Sequence, residues 1–237
     1  MAARLTLVIG DLFVPDRAPV CVPGLSSMRI NTNTSLGDSG QSESLCGPSR
    51  FANVLICLTQ FRKLLTPGKI GQIICLGNIT DRETYDFLRQ TAPELHVVKG
   101  DFDTEASNLA LSKVVQNGGL RIGFTHGHTI IPQGDAESLL IAARQMDVDV
   151  LLWGQTHKFE AYELEGKFFV NPGSATGAFS TSWQAIEEEP IPSFCLMDVQ
   201  GEVVVLYVYQ LKTDDKGNES VSVEKVSYRK PAAAAAP

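Results

Sequence analysis

Polar side chains able to bind metal ions follow predicted strands at five places in the chain. In chain order these are Asp11, Asn78 with Asp81, Asp101 with Asp103, His126 with His128, and His157. In open sheets with parallel strands, ligands gather outside the carboxyl ends of the strands, so residues far apart in sequence can meet at one edge. Carboxylate, amide and imidazole groups suit a pair of divalent cations that polarise a phosphoryl group and generate hydroxide from water. The pattern therefore predicts a polar site shared by several strands.

Helix and strand patterns alternate through the first half of the chain. Strands are predicted over residues 5–9, 72–76 and 95–99, and helices over 51–65 and 82–91. From about residue 18 to 50, Ser, Thr, Asn, Gly and Pro dominate without any period, which indicates a flexible insertion.

Strand patterns dominate the second half. Strands are predicted over 113–116, 120–125, 148–152, 159–164, 167–170, 194–199, 203–210 and 221–228, a helix over 136–145, and a loop over 214–218. An α/β half followed by a mostly antiparallel half predicts two sheets packed face to face with helices outside. We therefore expect a single α/β domain over residues 1–230, a four-layer α/β/β/α sandwich around one core, and a loose tail at 231–237.

Composition limits the possible partners and compartments. The 237 residues carry 20 Lys+Arg against 27 Asp+Glu, and the net charge of −7 has the wrong sign for an extended phosphate-binding surface. No apolar run approaches the roughly 20 residues of a membrane-spanning helix, and polar residues interrupt the N-terminus too early for a secretory signal, so we expect a cytoplasmic protein. Five scattered cysteines, never spaced as CxxC, indicate free thiols rather than disulfides or a thiolate zinc site.

The ordered polar motifs resemble those of the calcineurin-like metallophosphoesterases. They are Gly10-Asp11, Gly77-Asn78-Ile79-Thr80-Asp81, Gly100-Asp101-Phe102-Asp103, His126-Gly127-His128 and Gly154-Gln155-Thr156-His157. The turn Asn171-Pro172-Gly173-Ser174 is similar to the one that follows the last motif in the small bacterial and archaeal phosphodiesterases of this superfamily. The resemblance covers everything except the insertion and the tail, and it implies the superfamily's α/β/β/α fold.

Departures from the superfamily pattern fall on the metal ligands. Relative to active members, Phe13 replaces a His, Asn78 a bridging Asp, Asp101-Phe102 an Asn-His pair, and Gln155 a His. The resemblance then leaves one metal with Asp11, Asn78 and His157, and the other with Asn78, Asp101 and His126. Neither set completes a two-metal clamp, and the general-acid position is vacant. We expect a vestigial site with no catalytic residue and no required cofactor, at which zinc or manganese could still bind weakly.

Within the superfamily, this loss of ligands is similar to that of the retromer small subunits. The likeness extends to segments outside the metal motifs, such as residues 61–70, 192–198 and 207–211. It implies a non-catalytic scaffold in endosome-to-Golgi and recycling protein transport, held at endosome membranes through its complex. No nucleic acid and no direct membrane insertion are expected. The alternatives are a metal-dependent phosphodiesterase with a degenerate metal site and a scaffold of some other complex.

The resemblance also implies two docking surfaces. Ile130, Ile131 and the vestigial site would face the carboxyl-terminal half of the retromer core solenoid subunit. An apolar patch on the opposite face would bind Rab-GTPase regulators and would be lined by Leu5, Leu64, Leu65, Leu196, Tyr207, Tyr209 and Val223. For Leu64, Leu65 and Leu196, a position in the core is an equal alternative.

Overall fold

Eleven strands and two helices make up the described part of the chain. The structure is a computed structural model that describes residues 5–10, 12, 68–79, 82–103, 108–178, 191–213 and 219–231. The elements are β1 Leu5–Ile9, β2 Gln72–Cys75, α1 Arg82–Thr91, β3 Glu94–Val97, β4 Ser112–Asn117, β5 Leu120–Thr125, α2 Ala136–Gln145, β6 Val150–Leu152, β7 Phe159–Leu164, β8 Lys167–Pro172, β9 Ser193–Gln200, β10 Val203–Thr213 and β11 Glu219–Arg229. The predicted insertion, the helix over 51–65, the loop over 214–218 and nearly all of the tail lie outside the described residues.

The strands form two mixed sheets. The six-stranded sheet has the order β11-β10-β9-β1-β2-β3, and the five-stranded sheet has the order β4-β5-β6-β8-β7. In the first sheet, β1, β2 and β3 are parallel; in the second, β5, β6 and β8 are parallel, and the other strands pair antiparallel. None of the helices in the described ranges is long and apolar enough to cross a membrane.

Three apolar clusters hold these layers together. Val8, Phe124 and Leu206 belong to the cluster between the two sheets. Leu88 of α1 packs on the outer face of the six-stranded sheet, and Leu139 of α2 packs on the outer face of the five-stranded sheet. The predicted four-layer sandwich is confirmed, but the prediction of one core is wrong, because each sheet buries apolar side chains on both of its faces.

Local sequence determines the ends of α2. The Asp135 carboxylate caps the helix by accepting a hydrogen bond from the Ser138 backbone N–H at 2.9 Å. Glu137 in the first turn and Arg144 in the last complement the helix dipole. The observed bounds agree with the predicted helix over 136–145.

Several strand bounds differ from the prediction. β3 ends at Val97 because the backbone N–H of Lys99 turns away to the carbonyl of Ala110, 2.9 Å distant. Asn117 pairs with Leu120, so the β4–β5 turn contains only two glycines, at positions 118 and 119. The last two strands are each longer than expected and pair along 11 residues.

The end of β11 joins the two sheets through what we call the C-terminal clamp, formed by Tyr228 and Lys230. The Tyr228 hydroxyl donates to the carbonyl oxygen of Gly166 at 2.6 Å. Its ring stacks on Phe168 of β8, with centroids 5.0 Å apart and planes inclined by 3°. The ammonium group of Lys230 lies 2.8 Å from the Asp149 carboxylate, just before β6. These contacts connect the last strand of one sheet to the other sheet.

Candidate functional site

The candidate site lies where the carboxyl ends of parallel strands from both sheets meet. Asn78 follows β2, Asp101 follows β3, His126 follows β5, and Gln155 and His157 follow β6. The side chains of Asn78, Asp101 and His126, which the strand-end pattern predicts to converge, form one hydrogen-bonded network. Gln155, which that pattern did not include, joins the network through Asp101. The half-buried His157 lies two residues beyond Gln155. Asp11 and Phe13 lie outside the described residues.

Asn78 is the centre of this network and is almost completely buried. Its Oδ1 accepts the backbone N–H of Phe102 at 3.0 Å. Its Nδ2 donates to Asp101 Oδ1 at 3.0 Å and lies 3.5 Å from His126 Nε2. One amide therefore connects the loop after β3 with the side chain that follows β5.

His126 is fully buried and contacts an oxygen through each ring nitrogen. Nδ1 lies 2.8 Å from the carbonyl oxygen of Leu76. Since a carbonyl oxygen only accepts hydrogen bonds, Nδ1 carries the hydrogen. Nε2 lies 3.1 Å from Asp101 Oδ1 and so faces the interior of the site.

The ionisable groups at this edge have perturbed pKa values. Burial acts to raise the pKa of Asp101, but the hydrogen bond from Asn78 and the neighbouring His126 outweigh it and hold that pKa below its usual value. The pKa of His128 is lowered, first by burial and then by the nearby His126 ring, whose centroid is 5.3 Å away. Both shifts favour an anionic Asp101 beside a neutral His128.

Asp103 has a structural role that the sequence reasoning missed. One of its carboxylate oxygens accepts two backbone N–H groups, those of Asn78 and Gly100, each at 2.8 Å. This buried carboxylate holds the loops after β2 and β3 together. The available signal was a second acid two residues after Asp101, which sequence alone could equally assign to metal binding.

The backbone at this edge is tightly constrained. Asn78, Gln155 and His157 all adopt the left-handed region, with φ of 57°, 77° and 58°. Non-glycine residues rarely occupy this region, and they do so mainly where the surrounding structure imposes it. A Cβ at Gly100 would lie 2.0 Å from Asn78 Oδ1, so a glycine is required there. The loops that carry the site residues therefore have little conformational freedom at these positions.

The residues predicted to dock the core subunit lie in the loop after β5. Ile131 is 81% exposed. Ile130 is half-buried and packs against the apolar cluster beneath α2. Phe102, in the loop after β3, is 55% exposed and adds a second apolar group to the same edge.

Most of the residues predicted for the other surface share the outer face of the six-stranded sheet. Leu196 pairs with Tyr207, and Tyr209 pairs with Val223, so each pair lies on one face of the sheet. Leu196 and Tyr209 pack against the cluster beneath α1, whereas Val223 is 53% exposed. Leu5 is half-buried on β1. Leu64 and Leu65 lie outside the described residues.

Comparisons with known proteins establish the class and then the family. Residues 57–202 match the calcineurin-like phosphoesterase superfamily domain, the class that this fold and site define. Vacuolar protein sorting-associated protein 29 (Vps29) of Schizosaccharomyces pombe is 44% identical over 227 residues, which cover 96% of this chain and 99% of the yeast protein. The crystal structure of Chaetomium thermophilum Vps29 is 47% identical with a TM-score of 0.73, covering 97% of this chain and 100% of that one. The chain belongs to the Vps29 family, which confirms the family predicted from its motifs.

The described residues of this edge do not supply the ligand set of the superfamily's two-metal site. A zinc complex is known for wild-type Vps29 of Entamoeba histolytica, which is 38% identical with a TM-score of 0.69 and covers 94% of this chain and 98% of its own. In the present chain, the position of the bridging carboxylate presents the Nδ2 of Asn78, which donates hydrogen bonds and cannot bind a cation. Among the residues that the structure describes, no group of three or more His, Cys, Asp or Glu side chains could hold a metal ion.

Proposed function

We propose that this chain is the small, non-catalytic subunit of a retromer complex in endosomal protein sorting. The edge that carries Asn78, Asp101 and His126 would dock onto the carboxyl-terminal half of the core solenoid subunit. The observation that carries the proposal is the chemistry of this edge. Where a phosphoesterase needs anions and imidazoles around two cations, the network contains the neutral amides of Asn78 and Gln155. Such an edge is better suited to contact a protein than to transfer a phosphoryl group.

The exposed apolar groups at this edge support the docking role. Phe102 and Ile131, in the loops after β3 and β5, both place more than half of their surface in solvent, and exposed apolar groups of this size are typical of protein-binding surfaces. The Asn78 hydrogen bond to the Phe102 backbone orders one of these loops, and the buried part of Ile130 anchors the other. The surface is therefore preorganised for binding, which reduces the entropy lost on association.

A second proposed surface would bind Rab-GTPase regulators. It is the outer face of the six-stranded sheet, where Tyr207, Tyr209 and Val223 lie beside Leu196. Tyrosine is enriched at protein interfaces because its ring is apolar and its hydroxyl forms hydrogen bonds. In this proposal the chain reaches endosome membranes through the assembled complex and requires no cofactor for docking.

Titration calorimetry with the carboxyl-terminal half of the core subunit tests the docking edge. We expect binding that is unchanged by a chelator and weakened about 30-fold or more by Ile131→Asp, since the loss of a central interface contact costs about 2 kcal/mol or more. Ile141→Asp is the matched control, because Ile141 is an isoleucine that is 55% exposed and belongs to α2 rather than to the edge loops.

Three results would contradict this assignment. Equal loss of binding in both variants would show that the effect of the added charge is not specific to position 131. Unchanged binding in both would exclude it from the interface. Absence of binding by the correctly folded wild type would reject the retromer role and favour a different complex.

A metal-dependent phosphodiesterase is the second candidate, and the close contact between Asp101 and His126 favours testing it. The zinc complex of the amoebal relative is a further reason for the test. Hydrolysis of a chromogenic phosphodiester would be followed with added Mn²⁺ or Zn²⁺. We expect no turnover, because Phe102 offers no group for proton transfer. Turnover that is abolished by His157→Ala would establish the enzyme and overturn the non-catalytic role.

A further inference from the structure

The last strand of the six-stranded sheet, β11, has an unpaired edge. In the part of the chain that the structure describes, β11 stands at the end of the strand order and pairs only with β10. The two strands pair without interruption along 11 residues, and β11 contains no proline. A long edge of this kind presents a row of backbone N–H and C=O groups to which another strand can add.

The hairpin between β9 and β10 determines which residues of β11 present these groups. Gln200 and Val203 flank a two-residue turn and therefore exchange both of their backbone hydrogen bonds. Backbone groups point alternately to the two sides of a strand, so every second residue of β10 from Val203 onwards bonds to β9, and the residues between them bond to β11. The backbone N–H of Lys230 donates to the carbonyl oxygen of Glu202 at 3.0 Å, in agreement with this alternation.

The odd-numbered residues of β11 therefore direct their backbone groups to the unpaired edge. The β10 residues that bond to β11 have even numbers, and so do their partners, such as Glu224 opposite Val208 and Ser222 opposite Gln210. The odd-numbered residues from 221 onwards are all exposed, and they share the outer face of the sheet; they are Val221, Val223, Lys225, Ser227 and Arg229. A single row thus carries the unpaired backbone groups and the exposed side chains.

The side chains of this row divide into an apolar half and a basic half. Val221 and Val223 are 38% and 53% exposed. Lys225 and Arg229 follow on the same face, and the Lys225 ammonium group lies 6.0 Å from the centroid of the Tyr207 ring. Opposite charges and apolar groups that lie directly across two strands stabilise their pairing. An added antiparallel strand therefore needs acidic residues opposite the basic half and apolar residues opposite the valines.

The inner side of β11 is anchored by the C-terminal clamp, so the edge keeps a fixed shape. Tyr228 is 2% exposed, and its ring stacks on Phe168 of the other sheet. Lys230, directly after the strand, lies 2.8 Å from the Asp149 carboxylate. An edge held in this way loses little conformational freedom when a strand adds to it, which favours binding.

A second copy of this chain fits the edge less well than an acidic partner. Full-length antiparallel pairing of two β11 strands would place Glu224 opposite the same residue of the other copy, and like charges directly opposite each other are destabilising. The net charge of −7 adds a general repulsion between copies. The basic half of the row instead attracts acidic side chains.

We propose that the unpaired edge of β11 binds an extended segment of a partner protein as an added antiparallel strand, in which acidic residues precede apolar ones. Numbered along that segment, acids at positions 1 and 5 lie opposite Arg229 and Lys225, and apolar residues at positions 7 and 9 lie opposite Val223 and Val221. The inference concerns the edge of the sheet, and its test requires neither the core subunit nor a Rab-GTPase regulator. It can therefore fail while the proposed function holds, and the reverse is also true.

A nine-residue peptide is the probe for the backbone pairing. It has glutamates at positions 1 and 5, valines at positions 7 and 9 and threonines elsewhere, and its binding to the full chain is measured by fluorescence anisotropy. N-methylation of positions 5 and 7, whose N–H groups face β11, should weaken binding about 10-fold or more, because two hydrogen bonds are lost. N-methylation of positions 4 and 6, whose N–H groups face solvent, is the matched control and should have an effect of less than about 3-fold. Equal loss in both modified peptides, or no binding of the unmodified peptide at about 1 mM, would overturn the proposal.

Charge reversal tests the order of residues in the segment. Lys225→Glu should weaken binding of the peptide about 5-fold or more, because an attraction across the strands becomes a repulsion. Lys69→Glu is the control, because Lys69 is an exposed lysine in the turn before β2, and it should change binding by less than about 2-fold. A peptide with lysines in place of the two glutamates should prefer Lys225→Glu to the wild type. Equal effects of the two substitutions, or equal binding of a peptide with the reversed sequence, would contradict the proposed pairing.

Hydrogen exchange followed by NMR tests the edge without any substitution. In the free chain, the N–H groups of Val223 and Lys225 should exchange faster than those of Glu224 and Val226, which bond to β10. The peptide should slow the exchange of the first pair only. Slow exchange of Val223 and Lys225 in the free chain would show that another segment or a second copy already covers the edge, and the proposal would be wrong.

Discussion

Substitution of Tyr228 in the C-terminal clamp should weaken the contact between the two sheets and lower the stability of the fold. The residue is 2% exposed, stacks on Phe168 and donates to the Gly166 carbonyl. Tyr228→Ala removes a buried ring and should lower the free energy of unfolding by about 3–5 kcal/mol. Tyr228→Phe keeps the ring and loses only the hydrogen bond, for which we expect about 1 kcal/mol.

Urea unfolding followed by circular dichroism gives both values, and thermal unfolding provides a check. For a chain of this size, 1 kcal/mol corresponds to about 2–4 °C in Tm, so the Phe variant should lose about that much and the Ala variant at least about 6 °C. Tyr85→Phe is the control, because Tyr85 is 38% exposed on α1 and should change stability by less than about 0.5 kcal/mol. A loss below about 1 kcal/mol in Tyr228→Ala would refute a role for the clamp in joining the sheets.

The same residue makes a distinct prediction at alkaline pH. Burial, with the nearby Asp149 and Glu163 carboxylates, raises the pKa of Tyr228 from 10.0 to about 12. The neutral hydroxyl is therefore favoured in the folded state, and its contribution is complete below pH 10 and lost as the pH rises towards 12. Tyr228→Phe should lack this part of the alkaline loss; identical pH profiles for the variant and the wild type would contradict the assignment.

Two further substitutions test the ion pair of the C-terminal clamp and the outer face of the six-stranded sheet. Burial acts to raise the pKa of Asp149, but the Arg121 N–H and the Lys230 ammonium outweigh it and hold that pKa below 3.8. The ionised Asp149 carboxylate therefore stabilises the fold at neutral pH, and this stabilisation is lost as the pH falls below 3.8. Asp149→Asn should have a lower free energy of unfolding at neutral pH and should lose less of it between about pH 5 and pH 2, as measured by urea unfolding. If the variant lost as much free energy of unfolding in acid as the wild type, the pairing of Asp149 with these groups would be contradicted. Leu196→Glu, on the outer face of the six-stranded sheet, should leave calorimetric binding of the core subunit intact while it abolishes capture of regulators. Equal loss of both activities would instead place Leu196 in the core.

Most of the fold could be predicted because local patterns and tertiary structure agree. The helix over 136–145 has a cap, favourable terminal charges and an apolar face, and its observed bounds match. The separation into three apolar clusters was not predictable from the same patterns. In β1, Leu7 faces α1 and Val8 faces the other sheet, but an apolar run does not show what covers each face.

The convergence of Asn78, Asp101 and His126 was predictable because each follows a parallel strand. The orientation of the Asn78 amide was not, since it depends on a left-handed backbone and on the close approach of Gly100. Asp103 was predicted to lie at the polar edge because it follows the same strand as Asp101. Only the structure shows that it accepts two backbone N–H groups.

The position of β1 in the six-stranded sheet has a consequence for biosynthesis. This strand lies between β2 and β9, and Leu5 pairs with Asp198, which is translated much later. Such distant pairing carries a large loop-closure entropy and slows folding. A nascent chain that has not yet extended beyond β9 leaves one side of β1 without its hydrogen-bonding neighbour. The first described strand to emerge from the ribosome is thus among the last to complete its pairing.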